Sequence, residues 1–278
     1  MSHVSKKVLG SMMICFLAHS MHALPLGNPA DPILYSKGLI FDPYADPCDP
    51  VGSWLNSFSF RLGYYGDFVF ERHLEWDNRD LKGDIDHSKL FTNAGLLVLN
   101  FFDKVDVFTT FGATRAWNET QADFFVDGIR PRVEFEFATS FSWSAGARAA
   151  IWECGGITLG IEGQYFSTNL NLLRVTEGAA VTTFPSGIHN RYREWQIGAG
   201  VAYRINFLVP YMGVKYSKTH SDFDAVDVFG SIVPDTQSKK HWGFAVGVSL
   251  IDCDIAGVTV EGRWGDEKAV HVNGQLRF

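Results

Sequence analysis

The feature that most constrains this chain is an alternation of apolar and polar residues, running with period two over long stretches. Phe58, Phe60, Leu62, Tyr64, Phe68 and Phe70 share one parity, and Ser57, Ser59, Arg61, Asp67 and Glu71 share the other. Successive side chains of a strand point to opposite faces, so such a segment separates two media. The pattern recurs. Phe141, Trp143, Ala145 and Ala147 oppose Ser140, Ser142, Ser144 and Arg148; Trp195, Ile197, Ala199 and Val201 oppose Glu194, Gln196 and Arg204. At the end of the chain Val270, Val272, Leu276 and Phe278 oppose His271, Asn273, Gln275 and Arg277. These runs extend over roughly 9–15 residues, whereas strands of soluble proteins cluster near about 5–6 and a tilted bilayer crossing takes about 9–11.

Composition removes the alternatives. Aromatics reach 14% and Gly numbers 27, yet mean hydropathy is only −0.02. Beyond the first twenty-odd residues no apolar run reaches the length of about 18 that a membrane helix needs. A helical bundle and a coiled coil are thereby excluded, and the chain is too apolar for disorder. An all-β protein is left. In hydrocarbon the backbone has no water to bond, so a spanning sheet has to close on itself. The predicted fold is a transmembrane, antiparallel, up-and-down β-barrel over residues 57–278. Its strands are expected at about 57–72, 88–101, 105–117, 135–151, 157–167, 191–205, 209–220, 239–251, 256–264 and 269–278. That is about ten, with twelve or more open if Ala122–Val126 or Ile33–Phe41 adds strands. Segment 88–101 is apolar on both faces and leaves its lumen side unassigned.

The connections sort by length. Phe102-Asp103-Lys104, Glu153–Gly156, Asn206-Phe207-Leu208 and Asp252-Cys253-Asp254 are tight turns; His73–His87, Asn118–Pro131, Ser167–Asn190 and Ser221–Ser238 are longer polar links. Short and long alternate, as in outer-membrane barrels with short periplasmic turns and long surface loops. Trp76, Trp117, Trp195, Trp242 and Trp264 fall near the outer strand ends, where indoles form an interfacial girdle.

Lys6 and Lys7, the apolar segment Val8–Ala18 and the small residue Ala23 have the order of a secretory signal, expected at 1–23. Residues 24–56 are then expected as a periplasmic segment ahead of the barrel. Removing the leader takes two of 24 basic residues and none of 31 acidic ones, leaving a net charge of −9. Such a chain is a poor partner for nucleic acid. Cys15 leaves with the leader, so Cys48, Cys154 and Cys253 remain. Their spacing fits no zinc site, and an odd count in an exported chain means at least one free or intermolecular thiol.

The polar parity would face the lumen. It carries Arg61, Arg148, Arg204, Lys215, Arg263 and Arg277 with Asp67, Glu71, Asp106, Glu136, Glu162, Glu194 and Glu261. Such a lumen is nearly balanced and would select weakly, for cations if at all. The competing reading is that these charges pair across a narrow interior and fill it, since small barrels are packed by their own side chains. No cofactor motif is present. Thr219-His220-Ser221-Asp222 offers acid–base residue types at a barrel rim, without a second acidic pair or nucleophile motif, so no enzyme is expected. Asp77, Asp80, Asp84 and Asp86 match no calcium loop, and no metal site is expected.

Several stretches carry a resemblance. Leu24-Pro-Leu-Gly-Asn-Pro-Ala-Asp-Pro32, Asp46-Pro-Cys-Asp-Pro50, Gly63-Tyr-Tyr-Gly-Asp-Phe-Val-Phe70 and Phe91-Thr-Asn-Ala-Gly95 are similar to blocks of the chlamydial major outer membrane protein family. So are Ser140-Phe-Ser-Trp-Ser-Ala-Gly-Ala-Arg148, Trp152-Glu-Cys-Gly155, Glu194-Trp-Gln-Ile-Gly198, Leu208-Val-Pro-Tyr211 and Gly274-Gln-Leu-Arg-Phe278. The resemblance implies a trimeric porin of the outer membrane, in contact with its lipid, passing small hydrophilic solutes and ions. It also implies a surface antigen and a structural role in the envelope. A non-conducting structural or adhesin-type barrel is the alternative. The chain departs from the family in its shorter loops and in cysteine content. Val51, Leu55, Thr109 and Gly156 stand where the family commonly has Cys. Cys48, Cys154 and Cys253, all expected on the periplasmic side, are candidates for disulfides with envelope partners or sister chains; internal pairing or free thiols remain open.

Overall fold

The computed structural model describes residues 24–39, 58–77, 84–85, 87–121, 132–224, 227–228, 231–232 and 235–278. Its strands, in chain order, are β1 (Phe58–Arg72), β2 (Leu74–Trp76), β3 (Asp84–Ile85), β4 (His87–Phe101), β5 (Val105–Gln121), β6 (Arg132–Phe137), β7 (Ser140–Cys154) and β8 (Ile157–Glu177). They continue with β9 (Ala180–Tyr203), β10 (Leu208–Phe223), β11 (Asp227–Val228), β12 (Ser231–Ile232), β13 (Thr236–Ser238), β14 (Trp242–Asp252), β15 (Ala256–Trp264) and β16 (Glu267–Arg277). One helical turn, α1 (Asp31–Leu34), precedes them. No helix among the described residues is long and apolar enough to cross a membrane.

Ten strands close a ring in the order β1, β4, β5, β7, β8, β9, β10, β14, β15, β16, every pairing antiparallel. The first and last strands seal it, with Arg61 opposite Arg277 and Asp67 opposite His271. Each of the ten expected strands overlaps one of those ten, but the expected 135–151 is broken at Ala138-Thr139 and divided between β6 and β7. Ile33 and Leu34 lie in α1 rather than in an extra strand, and Ala122–Val126 lies outside the described residues. The expected polar link 167–190 is mostly strand: β8 and β9 pair past the barrel rim, with a break in register between Leu172 and Arg174, to a turn at Gly178.

Along β8 the two faces exchange polarity, which locates the membrane edge. Leu159, Ile161 and Tyr165 are exposed, and Thr158, Glu162 and Gln164 are buried inside. Above Tyr165 the outward positions become Ser167, Asn169 and Asn171, and the inward ones Phe166, Leu170 and Leu172. Below the edge the outside is hydrocarbon and must be apolar; above it the outside is water, so apolar side chains turn inward. The edge is marked by an aromatic belt. Trp143 packs on Tyr165 at 5.6 Å, Trp195 on Tyr216 at 5.7 Å, and Tyr216 on Trp242 at 5.3 Å. Phe91 meets Trp117 at 5.3 Å further round. Trp76 is not part of this belt. It is buried with Leu74 and Ile85, because the link after β1 reaches over the mouth, where β2 pairs with β13 and β13 with β10.

The inward-turned apolar residues form a core across the outer mouth, including Val69, Leu90, Phe135, Phe137, Phe166, Leu172 and Tyr192. Segment 88–101 acquires its sides here: its even-numbered residues, from Ser88 to Asn100, face inward. Ala94, Leu96 and Val98 line the wall beside Tyr65 and Phe108.

Candidate functional site in the barrel lumen

Residues 24–35, expected in a periplasmic segment ahead of the barrel, run inside it. Lys37 and Leu39 donate backbone hydrogen bonds to Asp254 and Arg277 at the turn end, and Leu24 reaches the apolar core at the other end. The segment carries Pro25, Pro29 and Pro32, which suits an extended chain that joins no ladder. The barrel side chains therefore satisfy its backbone. Glu261 accepts the amides of Leu26 at 3.0 Å and Gly27 at 2.8 Å, and Gln196 donates to the Pro25 carbonyl at 2.7 Å. Lys215 donates to the Leu24 carbonyl. Asn28 donates to Ser249 at 2.9 Å, and Asn100 donates to the Pro32 carbonyl at 3.0 Å.

The wall is shaped to receive this segment. A Cβ added to Gly200 would stand 2.7 Å from the Pro29 ring, one on Gly160 would stand 2.6 Å from the Pro29 carbonyl, and one on Gly213 would overlap Leu26. Glycine at these inward positions makes the close approach available.

Two charge clusters flank it. Toward the turn end, Arg148 bonds Glu162 at 2.7 Å and pairs with Asp31, while Arg61 pairs with Asp106 and donates to the Asp31 carbonyl at 2.8 Å. The Arg61 guanidinium lies 4.6 Å over the Tyr35 ring. Toward the outer mouth, Arg72 pairs with Glu194 at 2.5 Å and Glu267 at 3.5 Å, and Arg263 pairs with Asp67 and with Glu267 at 3.1 Å. Lys215 lies 3.7 Å from Glu267. These groups are almost wholly shielded: Glu261 is 0% exposed and Lys215, Asp106 and Arg263 are 1% exposed. A cavity of about 20 Å³ beside Tyr65, Phe108 and His271 remains between segment and wall, room for about one water.

The structure thus brings Arg61, Asp67, Asp106, Arg148, Glu162, Glu194, Lys215, Glu261, Arg263 and Arg277 inside the barrel. Three expected lumen residues lie elsewhere. A β-bulge between Val69 and Glu71 reverses the parity of β1, so Glu71 pairs outside with Lys268 and Arg72 turns inward. Glu136 sits on β6, above the membrane edge, where inward positions belong to Phe135 and Phe137. Burial opposes its ionisation, but hydrogen bonds from Arg115 (2.6 Å) and Arg174 hold the carboxyl below its usual range. Arg204 falls just past β9 and pairs with Asp254 at 2.6 Å on the exposed turn end. The sequence reading missed Asp31, Arg72, Asp266 and Glu267. The inward parity of His271, continued backward along β16, points to Glu267; nothing periodic marks Asp31.

His220 and Ser221 lie on opposite faces of β10. The Ser221 hydroxyl donates to buried Asn190, while His220 bonds Asp222 at 2.6 Å on the half-exposed side. Ser221 is thus turned away from the imidazole and does not serve it as a nucleophile. His220, Asp222 and Asp235 do cluster there, with Asp222 also accepting from Arg193 and Asp235 from the Phe223 amide at 3.0 Å. Cys154 and Cys253 are exposed, free thiols at the turn end; Cys48 lies outside the described residues.

A family model described as Chlamydia major outer membrane protein matches residues 1–85, 124–176, 166–232 and 231–278. The chain is 31% identical to the major outer membrane porin, serovar A, of Chlamydia trachomatis, over 98% of this chain and 100% of that protein. It is equally similar to the major outer membrane porins of Chlamydia psittaci and Chlamydia muridarum, at 31% identity with the same coverage of each chain. The alignment with the serovar A protein spans 395 positions against 278 residues here, so the relative carries long insertions. Among solved structures, the β domain of the Bordetella autotransporter BrkA is similar at a TM-score of 0.41 and 8% identity, covering 80% of this chain and 100% of that one. By the family model and by the identity to these porins over nearly the whole chain, the chain belongs to the Chlamydia major outer membrane protein family.

Proposed function

We propose that this protein is an outer-membrane porin, a passive diffusion path for small hydrophilic solutes and ions. Family membership supports it, together with one structural observation: below the apolar outer mouth the barrel wall is lined by charged and hydrogen-bonding side chains. In this form the path is occupied by residues 24–35, so conduction belongs to a form in which that segment has moved. The described lumen carries six buried basic side chains (Arg61, Arg72, Arg148, Lys215, Arg263, Arg277). Against them stand seven buried acidic ones on the wall (Asp67, Asp106, Glu162, Glu194, Glu261, Asp266, Glu267), which favours cations weakly.

Planar-bilayer recording tests the reading. Steps of small conductance with modest cation preference are expected from the purified protein, and larger, longer openings when residues 24–35 are removed. Silence from both forms would leave the second reading, a non-conducting structural barrel, which the packed lumen favours.

We further propose that the leader at 1–23 is removed, that the barrel forms trimers, and that it performs no enzymatic reaction. Disulfides from Cys154 and Cys253 to envelope partners are a further proposal, supported by the exposure of both thiols at the turn end. A non-reducing gel of native envelopes that showed monomer alone would remove that last proposal.

A further inference from the structure

The described part of the inner segment begins at Leu24, inside the barrel. The Leu24 nitrogen lies 3.3 Å from Glu194 Oε1, and Leu24 is 4% exposed, packed into the apolar core that closes the outer mouth. The surrounding wall is rich in carboxylates: Glu194, Glu267, Asp266 and Asp67 face Arg72, Lys215 and Arg263, with Glu261 one layer below. Buried carboxylates in excess of buried cations are costly, and one more cation at this level would offset the imbalance.

We infer that the wall of this barrel carries a binding site for an α-ammonium group, and that the amino terminus created by cutting the Ala23–Leu24 bond occupies it. The inference rests on removal of the leader and is independent of conduction. Hydrolysis by an envelope leader peptidase adds one water: its oxygen joins the Ala23 carbonyl carbon as the C–N bond breaks, and both its protons end on the Leu24 nitrogen, leaving a carboxylate and an ammonium at neutral pH. At neutral pH the resulting primary amine is a cation with three donors, where the uncut chain offers one amide hydrogen. Glu194 accepts one of them. Its other oxygen is held by the Tyr192 hydroxyl at 2.9 Å, and Lys215 fixes the Leu24 carbonyl beside it. The site thus reads both the charge of a chain terminus and the peptide behind it. The ligand class is a free peptide amino terminus followed by an extended, proline-rich segment. The uncut chain meets Glu194 with a single neutral N–H, and the cut chain adds a positive charge and two further donors.

The test uses the mature protein as isolated from membranes. Amino-terminal sequencing is expected to begin at Leu24. The α-amine of the folded barrel is expected to react with an amine-selective acylating reagent at least about tenfold more slowly than after unfolding by heating in detergent. Glu194→Gln, which keeps the shape and removes the charge, is expected to restore much of the folded-state rate. A start at another residue, or equal labelling of folded and unfolded wild type, overturns the inference. Should Glu194→Gln fail to fold, the wild-type comparison still decides.

Discussion

The carboxylate of Glu261, projecting inward from β15, accepts the backbone amide of Gly27 at 2.8 Å and that of its neighbour Leu26 at 3.0 Å. A single wall residue thereby clasps two successive peptide groups of a segment more than two hundred residues earlier in the chain. The Tyr211 hydroxyl donates to the same carboxylate at 2.8 Å and orients it. Hydrogen bonds to a charged acceptor contribute about 1.5–3 kcal/mol each. Glu261→Ala is therefore expected to loosen residues 24–30 while the ring registers persist. Amide hydrogen exchange at Leu26 and Gly27 should rise at least about tenfold, and unchanged exchange there would speak against the clasp.

Arg148 carries a different load. It pairs with Asp31 on the inner segment and with Glu162 on β8 at once, all three buried. Removing one member of such a buried set leaves uncompensated charge, at a cost of about 3–5 kcal/mol. Arg148→Leu is expected to lower the urea midpoint of the barrel in lipid vesicles accordingly. The combination with Asp31→Asn and Glu162→Gln should recover most of the loss. A single variant as stable as wild type would show that the pair contributes little.

How much of this was legible in the sequence follows from what the bilayer imposes. Lipid outside and polar groups inside write a period-two code, so the ten strands and the faces of Arg61, Asp106, Glu162 and Lys215 could be read directly. The code fails wherever that contrast fails. The bulge after Val69 slips the parity by one residue and exchanges Glu71 for Arg72, with no sequence sign of its own. Above Tyr165 water replaces lipid, so Glu136 and Leu172 invert the rule that holds below them. The inner segment carries no period because it joins no sheet. Its trace on the sequence is indirect: glycine at the inward positions Gly160, Gly198 and Gly200, and carboxylates in excess of cations on the lumen parity.

At the turn end, Asp252 sets the chemistry of Cys253. The thiol donates to the Asp252 carboxylate and feels its charge, and both raise its pKa above the ordinary 9.0. The neutral thiol is therefore the stable form at physiological pH, and the thiolate, which is the nucleophile, appears only in more alkaline solution. Alkylation of Cys253 in the folded barrel is expected to accelerate with rising pH up to and beyond 9, and Asp252→Asn should shift that profile to lower pH. A profile that Asp252→Asn leaves in place would separate the two residues.

The occupied lumen is the centre of the account, and a disulfide trap measures it most directly. Asn28 of the inner segment donates to Ser249 on β14 at 2.9 Å. In a background where Cys48, Cys154 and Cys253 are replaced by Ser, the pair Asn28→Cys and Ser249→Cys is expected to cross-link in the membrane on mild oxidation. The product should be an intramolecular disulfide, seen by peptide mapping and by a reductant-sensitive shift in gel mobility. Two thiols that stay separate in the folded, membrane-inserted barrel would place residues 24–35 outside it and contradict the account.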